Sequence, residues 1–82
     1  MHIRITLNAA LADETIRNRP GDLFLTCARQ INTPTAHRVV RAHERMAVVD
    51  IDNVQDLYDA ADELGEAEDA FLAQHGNTEV RL

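Results

Sequence analysis

The chain has no lysine, no tryptophan and a single cysteine, Cys27. One cysteine excludes an internal disulfide framework and a zinc site built from several cysteines. No apolar run approaches the roughly 18–20 residues that a membrane-spanning helix needs. Residues 1–7 alternate between apolar and polar side chains, whereas a signal peptide carries a continuous apolar stretch. We therefore expect a cytoplasmic protein without a membrane segment.

The 82 residues, 45% of them hydrophobic, are enough for one small domain with a modest core. We find no internal repeat, low-complexity tract or linker, so residues 1–82 are interpreted as a single domain.

The net charge of −6 is unevenly distributed along the chain. Residues 1–45 hold seven arginines and four acidic residues, a net charge of +3, and residues 46–82 hold ten acidic residues and only Arg81, a net charge of −9. A chain of this kind is a poor candidate for binding DNA, RNA or anionic lipid directly. It is a better candidate for binding a basic protein surface.

The first part of the chain predicts one strand and two helices. Residues 2–7 alternate with a period of two and predict a half-buried strand. Asn8 is the expected cap of a short helix over 9–18, and Asp22 the expected cap of a second helix over 23–31. A strand over the first five residues of that second helix is the alternative.

Residues 37–51 predict an antiparallel hairpin with strands over 37–43 and 46–51, because the segment before Asp52 is rich in β-branched residues. The alternative is a partly helical segment, since Ala36, Val39 and Val40 suit a helix. The turn lacks the usual glycine signal.

Asn53 is the expected cap of a further helix. Its apolar residues lie within a stripe about 120° wide at 100° per residue: Val54, Leu57, Tyr58, Ala61 and Leu64. An unbroken helix would place Glu68 in the middle of that stripe, so we predict that the helix ends at Gly65 and a new one covers 66–75. Residues 78–82 suit a short edge strand. Together these elements predict an α+β fold, in which a small, mostly antiparallel three-stranded sheet packs with three to four short helices.

No residue pattern typical of an enzyme or a metal site is present. The four histidines lack the helical spacing of paired metal ligands: His2, His37, His43 and His75. Cys27 falls on the apolar face of its helix, where a small buried hydrophobe is expected, and no motif supplies the base that a nucleophile needs. Asp50 and Asp52 could form a carboxylate pair, but acidic residues that flank a helix start are the simpler interpretation.

The arginines before residue 46 have two interpretations. Arg38, Arg41 and Arg45 could contact phosphate. They are interspersed with acidic residues and lack interleaved aromatics, so pairing with the acidic half of the chain is the favoured interpretation.

The feature that we expect to carry function is an acidic helical face. Its six carboxylates span an arc near 140° and about 20 Å of helix axis if they belong to one helix: Asp56, Asp59, Asp62, Glu63, Glu66 and Asp69. No arginine between Arg45 and Arg81 offers the i,i+4 partner that such a face usually has. A basic partner would relieve the resulting repulsion, although a solvated face is the plainer alternative.

In size, acidity, lack of a catalytic motif and α+β layout, the chain resembles the small phage- and mobile-element-encoded inhibitors called anti-CRISPR proteins. Several of those inhibitors are DNA mimics, and the resemblance implies that the six carboxylates stand in for phosphates. CRISPR effectors hold nucleic acid in a positively charged channel, which a protein with fixed carboxylates could occupy.

The stretch 45–58 is also similar in pattern to antitoxins of the Phd/YefM type, in which a final strand leads into an acidic helix with an early aromatic. It lacks the turn glycine of that family. This resemblance implies a regulator that neutralises a basic toxin.

The sequence thus predicts a non-enzymatic inhibitor that binds a basic, nucleic-acid-handling protein complex and blocks its binding to target DNA. An antitoxin-like regulator is the alternative, and a small enzyme or metal protein without a motif is a third. We expect no cofactor, no direct contact with nucleic acid, and a monomer or weak homodimer.

Overall fold

Helices dominate the computed structural model, which describes residues 3–82. The elements in chain order are a strand β1 (Arg4–Thr6), the helices α1 (Leu7–Ala12), α2 (Pro20–Ala28), α3 (Pro34–Val48) and α4 (Val54–His75), and a strand β2 (Glu79–Arg81). Within the described residues the two strands form one two-stranded sheet. The predicted α+β fold with a three-stranded sheet is therefore wrong, because the segment expected to supply two of the strands is helical.

The sheet joins the two ends of the described chain. β1 and β2 are antiparallel, with Ile5 opposite Val80. Each of the two segments predicted as terminal strands, 2–7 and 78–82, thus contains a strand. Residue 2 lies outside the described residues. The side chain of Gln30 extends the sheet, because it accepts a hydrogen bond from the Arg81 N–H at 2.8 Å and donates one to the Arg81 carbonyl at 2.7 Å. This amide satisfies backbone groups that an edge strand would otherwise leave to solvent.

α1 begins earlier and ends earlier than predicted. Thr6, not Asn8, is the N-cap, and its hydroxyl accepts a hydrogen bond from the Ala9 N–H at 3.2 Å. The helix stops before Asp13, whose carboxylate accepts hydrogen bonds from the backbone N–H and the hydroxyl of Thr15. Local side-chain bonds of this kind compete with the helix and favour a turn.

A proline at the first helical position begins both α2 and α3, where its missing N–H costs nothing. The helical prediction for the second element is confirmed, but the predicted bounds are wrong: the helix begins at Pro20 rather than after Asp22 and ends at Ala28. In α3, the Thr33 hydroxyl caps the helix by accepting from the Ala36 N–H at 3.3 Å.

The hairpin predicted over 37–43 and 46–51 is wrong. A helical face with buried residues at three-residue spacing outweighs the strand propensity of the valines: Ala36, Val39 and Ala42.

α4 is one continuous helix of 22 residues. The predicted cap is confirmed, since the Asn53 side chain accepts from the Asp56 N–H at 3.2 Å. The predicted break at Gly65 is wrong. A glycine within a helix costs only about 1 kcal/mol relative to alanine, which the packing of so long a helix offsets. As a result Glu68 lies half-buried, as expected for an unbroken helix.

The core lies between α3, the C-terminal half of α4, α2 and the sheet. Its largest fully buried side chains are Phe71, Leu7, Val39, Val80 and Cys27. The rings of Phe24 and Phe71 pack edge to face with centroids 6.4 Å apart. His75 packs against Phe71 and joins three elements, because its ring nitrogens lie 2.9 Å from the Thr33 hydroxyl and 3.4 Å from the Thr78 hydroxyl.

α3 and α4 run antiparallel, and their distal ends project from this core. The Cα radius of gyration is 13.1 Å, against about 11.7 Å for a compact chain of this length. We call residues 45–62, the end of α3, the loop and the start of α4, the arm. Ala60 is the one buried residue of the arm. Most of the surface of the arm is therefore exposed to solvent.

Candidate functional site

α4 carries the acidic residues of interest on two different faces. At 100° per residue, Asp56 and Glu63 lie on the side toward α3. Four other carboxylates fall within an arc of about 80° and face away from the core, over about 15 Å of axis: Asp59, Asp62, Glu66 and Asp69. We call these four residues the outward acidic face. The opposite face of α4 packs into the core through Ala67 and Phe71, at the level of Glu66 and Asp69, whereas Asp59 and Asp62 belong to the arm.

Arginines of α3 neutralise the carboxylates that face them. The Arg45 guanidinium pairs with Glu63 and lies 3.1 Å from the Asp56 carboxylate. Arg38 lies 3.5 Å from Glu66, whose side chain stays 74% exposed. The two carboxylates raise the pKa of Arg45 through their hydrogen bonds to its guanidinium. The favoured interpretation of the arginines, pairing with the acidic half, is thus confirmed for Arg38 and Arg45.

The expectation of six uncompensated carboxylates is consequently wrong for Asp56, Glu63 and Glu66. The prediction considered arginine partners along the same helix, whereas the partners lie on the neighbouring antiparallel helix. Among the described residues, Asp59, Asp62 and Asp69 form no ion pair. Asp59 accepts a hydrogen bond from the Gln55 side chain at 2.9 Å. These three carboxylates form the part of the predicted site that points to solvent without a cation of its own.

Glu68 differs from the other carboxylates of α4. It lies on the border between the core and the solvent, and burial raises its pKa, with the neighbouring Asp69 adding to the shift. The ionised form of Glu68 therefore opposes folding at neutral pH.

Apolar side chains of the arm form an exposed surface that the sequence did not indicate. Tyr58 and Val54 were predicted to face the core, yet they are 62% and 54% exposed. In the loop and at the end of α3, Ile51 and Val48 are 75% and 82% exposed. The apolar pattern of α4 extends toward the start of the helix, beyond the part that the rest of the chain covers. The length of this pattern is the sequence signal that could have indicated the exposed surface.

The remaining candidates have structural surroundings. Cys27 is fully buried, and burial raises the pKa of its thiol to about 11, so that the reactive thiolate is scarce at neutral pH. The Asp50 carboxylate accepts from the Asp52 N–H at 2.9 Å in the turn before α4. Within residues 3–82 no three His, Cys, Asp or Glu side chains converge on a metal-binding geometry. His2 lies outside the described residues.

His43 has a buried Nε2 atom without a hydrogen-bond partner among the described residues. Burial lowers the pKa of His43; Asp22 opposes this shift and Arg29 adds to it. The imidazole is therefore held in its neutral form between α2 and α3. It adds no charge to the surface that α3 presents.

An open groove of about 470 Å³ lies between the end of α2 and the exposed side of α3. It is lined by two arginines, Arg29 and Arg41, and its other lining residues include His37, Glu44 and Val40. Arg41, unlike Arg38 and Arg45, takes no part in the ion pairs between α3 and α4 found among the described residues. The groove is of mixed charge and contains none of the predicted site residues.

No protein-family model matches the chain, and no curated protein or solved structure is significantly similar to it. None of the helices of residues 3–82 has both the length and the apolar character needed to cross a membrane.

Proposed function

We propose that this chain is a non-enzymatic inhibitor that binds a basic, nucleic-acid-handling protein through the outward acidic face of α4. The observation that supports the proposal is the orientation of Asp59, Asp62 and Asp69, which project into solvent from a helix that has no arginine or lysine. The concrete version is an anti-CRISPR protein that acts on a multisubunit effector complex.

The geometry suits competition with a nucleic-acid strand. The outward acidic face covers about 15 Å of helix axis, comparable to about four nucleotides of one DNA strand at 3.4 Å each. Its carboxylates stand on a folded helix and lose little freedom on binding. A cationic channel that accepts phosphates would accept these carboxylates instead, and the target would be excluded without any chemical step.

The ion pairs with α3 divide the six predicted residues into two roles. Asp56 and Glu63 hold Arg45 and thereby fix α3 against α4, whereas the outward acidic face contacts the partner. Glu66 contributes to both, because its exposed carboxylate lies at the end of the Arg38 side chain. Binding through this face weakens as salt concentration rises, since the exposed charges are screened within about 8–10 Å.

The test measures target-DNA binding by a purified effector complex in the presence of increasing amounts of the chain. We expect inhibition by the natural sequence and its loss on Asp59→Lys, Asp62→Lys and Asp69→Lys combined. The matched control makes the same charge change at exposed acidic residues elsewhere: Glu14→Lys, Asp52→Lys and Glu79→Lys. Equal inhibition by both folded triple variants would rule out the outward acidic face as the contact.

An antitoxin-like regulator of a basic toxin is the second candidate. The exposed apolar residues of the arm favour this candidate, because a helix that wraps around another protein makes apolar contacts as well as charged ones. The segment 46–51, a strand in the antitoxin pattern, is helical here as far as Val48. The two candidates differ toward DNA: an antitoxin that represses its own gene binds its promoter, whereas a phosphate mimic binds no DNA.

A further inference from the structure

α4 has a second apolar stripe, which lies beside the face that packs into the core and shares Leu72 with it. Its residues recur at intervals of four, three, four and seven, and they lie within an arc of about 60° at 100° per residue: Val54, Tyr58, Ala61, Gly65 and Leu72. All are exposed except Leu72, which is half-buried. We call these five residues the apolar stripe. It follows the heptad spacing by which one helix packs along another.

The centre of the apolar stripe is shaped for close approach. A Cβ atom added at Gly65 would meet nothing within 4 Å, so the fold itself gives no steric reason for a glycine there. Together with Ala61, it places two small residues between the larger side chains of Tyr58 and Leu72. A helix that packs over these two residues approaches the α4 backbone more closely than it could over large side chains.

Both borders of the apolar stripe are acidic. Asp62 and Asp69 lie on one side, about 50–70° from its centre, and Glu68 lies about 50° away on the other. No arginine pairs with these three residues among the described residues. A second copy of the chain, itself carrying a net charge of −6, would bring like charges together along these borders. A cationic helix would instead be complementary to both of them.

We propose that the apolar stripe docks an amphipathic helix of the partner protein, whose own apolar stripe is bordered by arginine or lysine. The inference rests on the proposed function and specifies the kind of element that the partner presents. Apolar burial along the stripe supplies affinity, and the acidic borders select a basic helix over an acidic one.

Adding a negative charge to the stripe separates apolar docking from plain electrostatics. If charge alone held the partner, Ala61→Glu and Ala73→Glu would both tighten binding, because each adds a carboxylate to an exposed alanine of α4. If the apolar stripe docks a helix, Ala61→Glu loosens binding, since it places a charge in the contact. Ala73→Glu then serves as the matched control, because Ala73 lies outside the stripe.

The experiment measures the fluorescence anisotropy of labelled 21-residue peptides titrated with the full chain. One peptide carries Leu and Ala at heptad positions a and d with Arg at e and g, and the second replaces every Arg by Glu. We expect micromolar binding of the Arg peptide and none of the Glu peptide. We expect at least tenfold weaker binding of the Arg peptide to Ala61→Glu and, as a second variant at an exposed site, to Tyr58→Ala, with no loss for Ala73→Glu.

Several results would overturn the inference: no binding of the Arg peptide at 100 µM protein, equal binding of both peptides, or equal effects of Ala61→Glu and Ala73→Glu. Self-association of the chain in sedimentation that Ala61→Glu abolishes would assign the stripe to a second copy instead. The combined Asp62→Asn and Asp69→Asn variant tests the proposed function separately. If it binds the Arg peptide unchanged while Ala61→Glu loosens it, apolar docking on the stripe stands, whereas selection by the Asp62 and Asp69 border and the charge-based function both fail.

Discussion

Arg45 at the end of α3 pairs with Glu63 in the middle of α4, and the same guanidinium reaches Asp56, about two helical turns nearer the start of α4. This contact ties together two helices at a level where Ala60 is the one buried residue of the arm. We infer that Arg45 substitutes for the apolar core that the arm lacks.

Replacing Arg45 by Gln is expected to loosen the arm. The change removes the cation between two carboxylates and leaves them to repel each other, so that Tm falls by a few degrees and the difference shrinks in high salt. Thermal unfolding followed by circular dichroism checks this. Arg41→Gln is the control, because Arg41 lies on the exposed side of α3 and should leave Tm unchanged. An equal loss for both variants would show that the pairs to Asp56 and Glu63 contribute nothing specific.

Gly65→Ala is expected to stabilise the isolated chain. The new methyl group meets no atom, and alanine is favoured over glycine in a helix by about 0.5–1 kcal/mol. The free energy of unfolding, measured in urea, should rise by that amount. A decrease would mean that the helix is distorted or broken near Gly65.

Gly76→Ala is expected to have the opposite effect. A Cβ atom there would lie 2.7 Å from the Asn8 side-chain oxygen and 2.8 Å from the Leu72 carbonyl oxygen. Relief requires movement of the backbone where α4 meets α1, which costs about 1–3 kcal/mol. The same urea measurement compares the two glycine variants directly. A Gly76→Ala chain as stable as the natural one would show that the junction yields easily.

Glu68→Gln is expected to stabilise the chain near pH 7 but not in acid. Burial raises the pKa of Glu68, so the folded state binds this proton more tightly than the unfolded state does. The natural chain is therefore penalised above the raised pKa, and the penalty disappears as pH falls below the ordinary carboxyl range. Urea unfolding of both chains between pH 3 and 7 checks this, with a small gain at pH 7 that vanishes at the acidic end. A gain that is independent of pH would assign the effect to packing rather than to charge.

Local signals predicted the start of α4 and the location of both strands. The Asn53 cap of α4 and the strand segments near both ends follow from the residues themselves. The Thr33–Pro34 pair that starts α3 was an equally clear helix-start signal, but the β-branched residues after it favoured a strand. Strand propensity reflects packing on a half-buried sheet, and no third strand is present in the described residues to provide that packing.

The incorrect prediction for α3 also prevented identification of the arginines that pair with Asp56, Glu63 and Glu66. With 37–51 treated as a hairpin, Arg38 and Arg45 had no defined position relative to α4. The antiparallel pairing of α3 with α4 brings residues 11 and 18 positions apart into contact around one guanidinium. Periodicity within a helix correctly grouped the carboxylates but could not show which of them meet a neighbouring helix, because that depends on packing between elements.

The most direct test of the central claim is the salt dependence of binding to the basic partner that the proposed function requires, isolated by pull-down from a cell lysate. Two triple variants carry the same net charge: Asp59→Asn, Asp62→Asn, Asp69→Asn on α4, and Glu14→Asn, Asp52→Asn, Glu79→Asn elsewhere. We predict that the α4 variant binds at least tenfold more weakly at low salt and loses most of the dependence of log Kd on log salt. The other variant should match the natural chain. Equal affinities and equal slopes for the two variants would contradict the account.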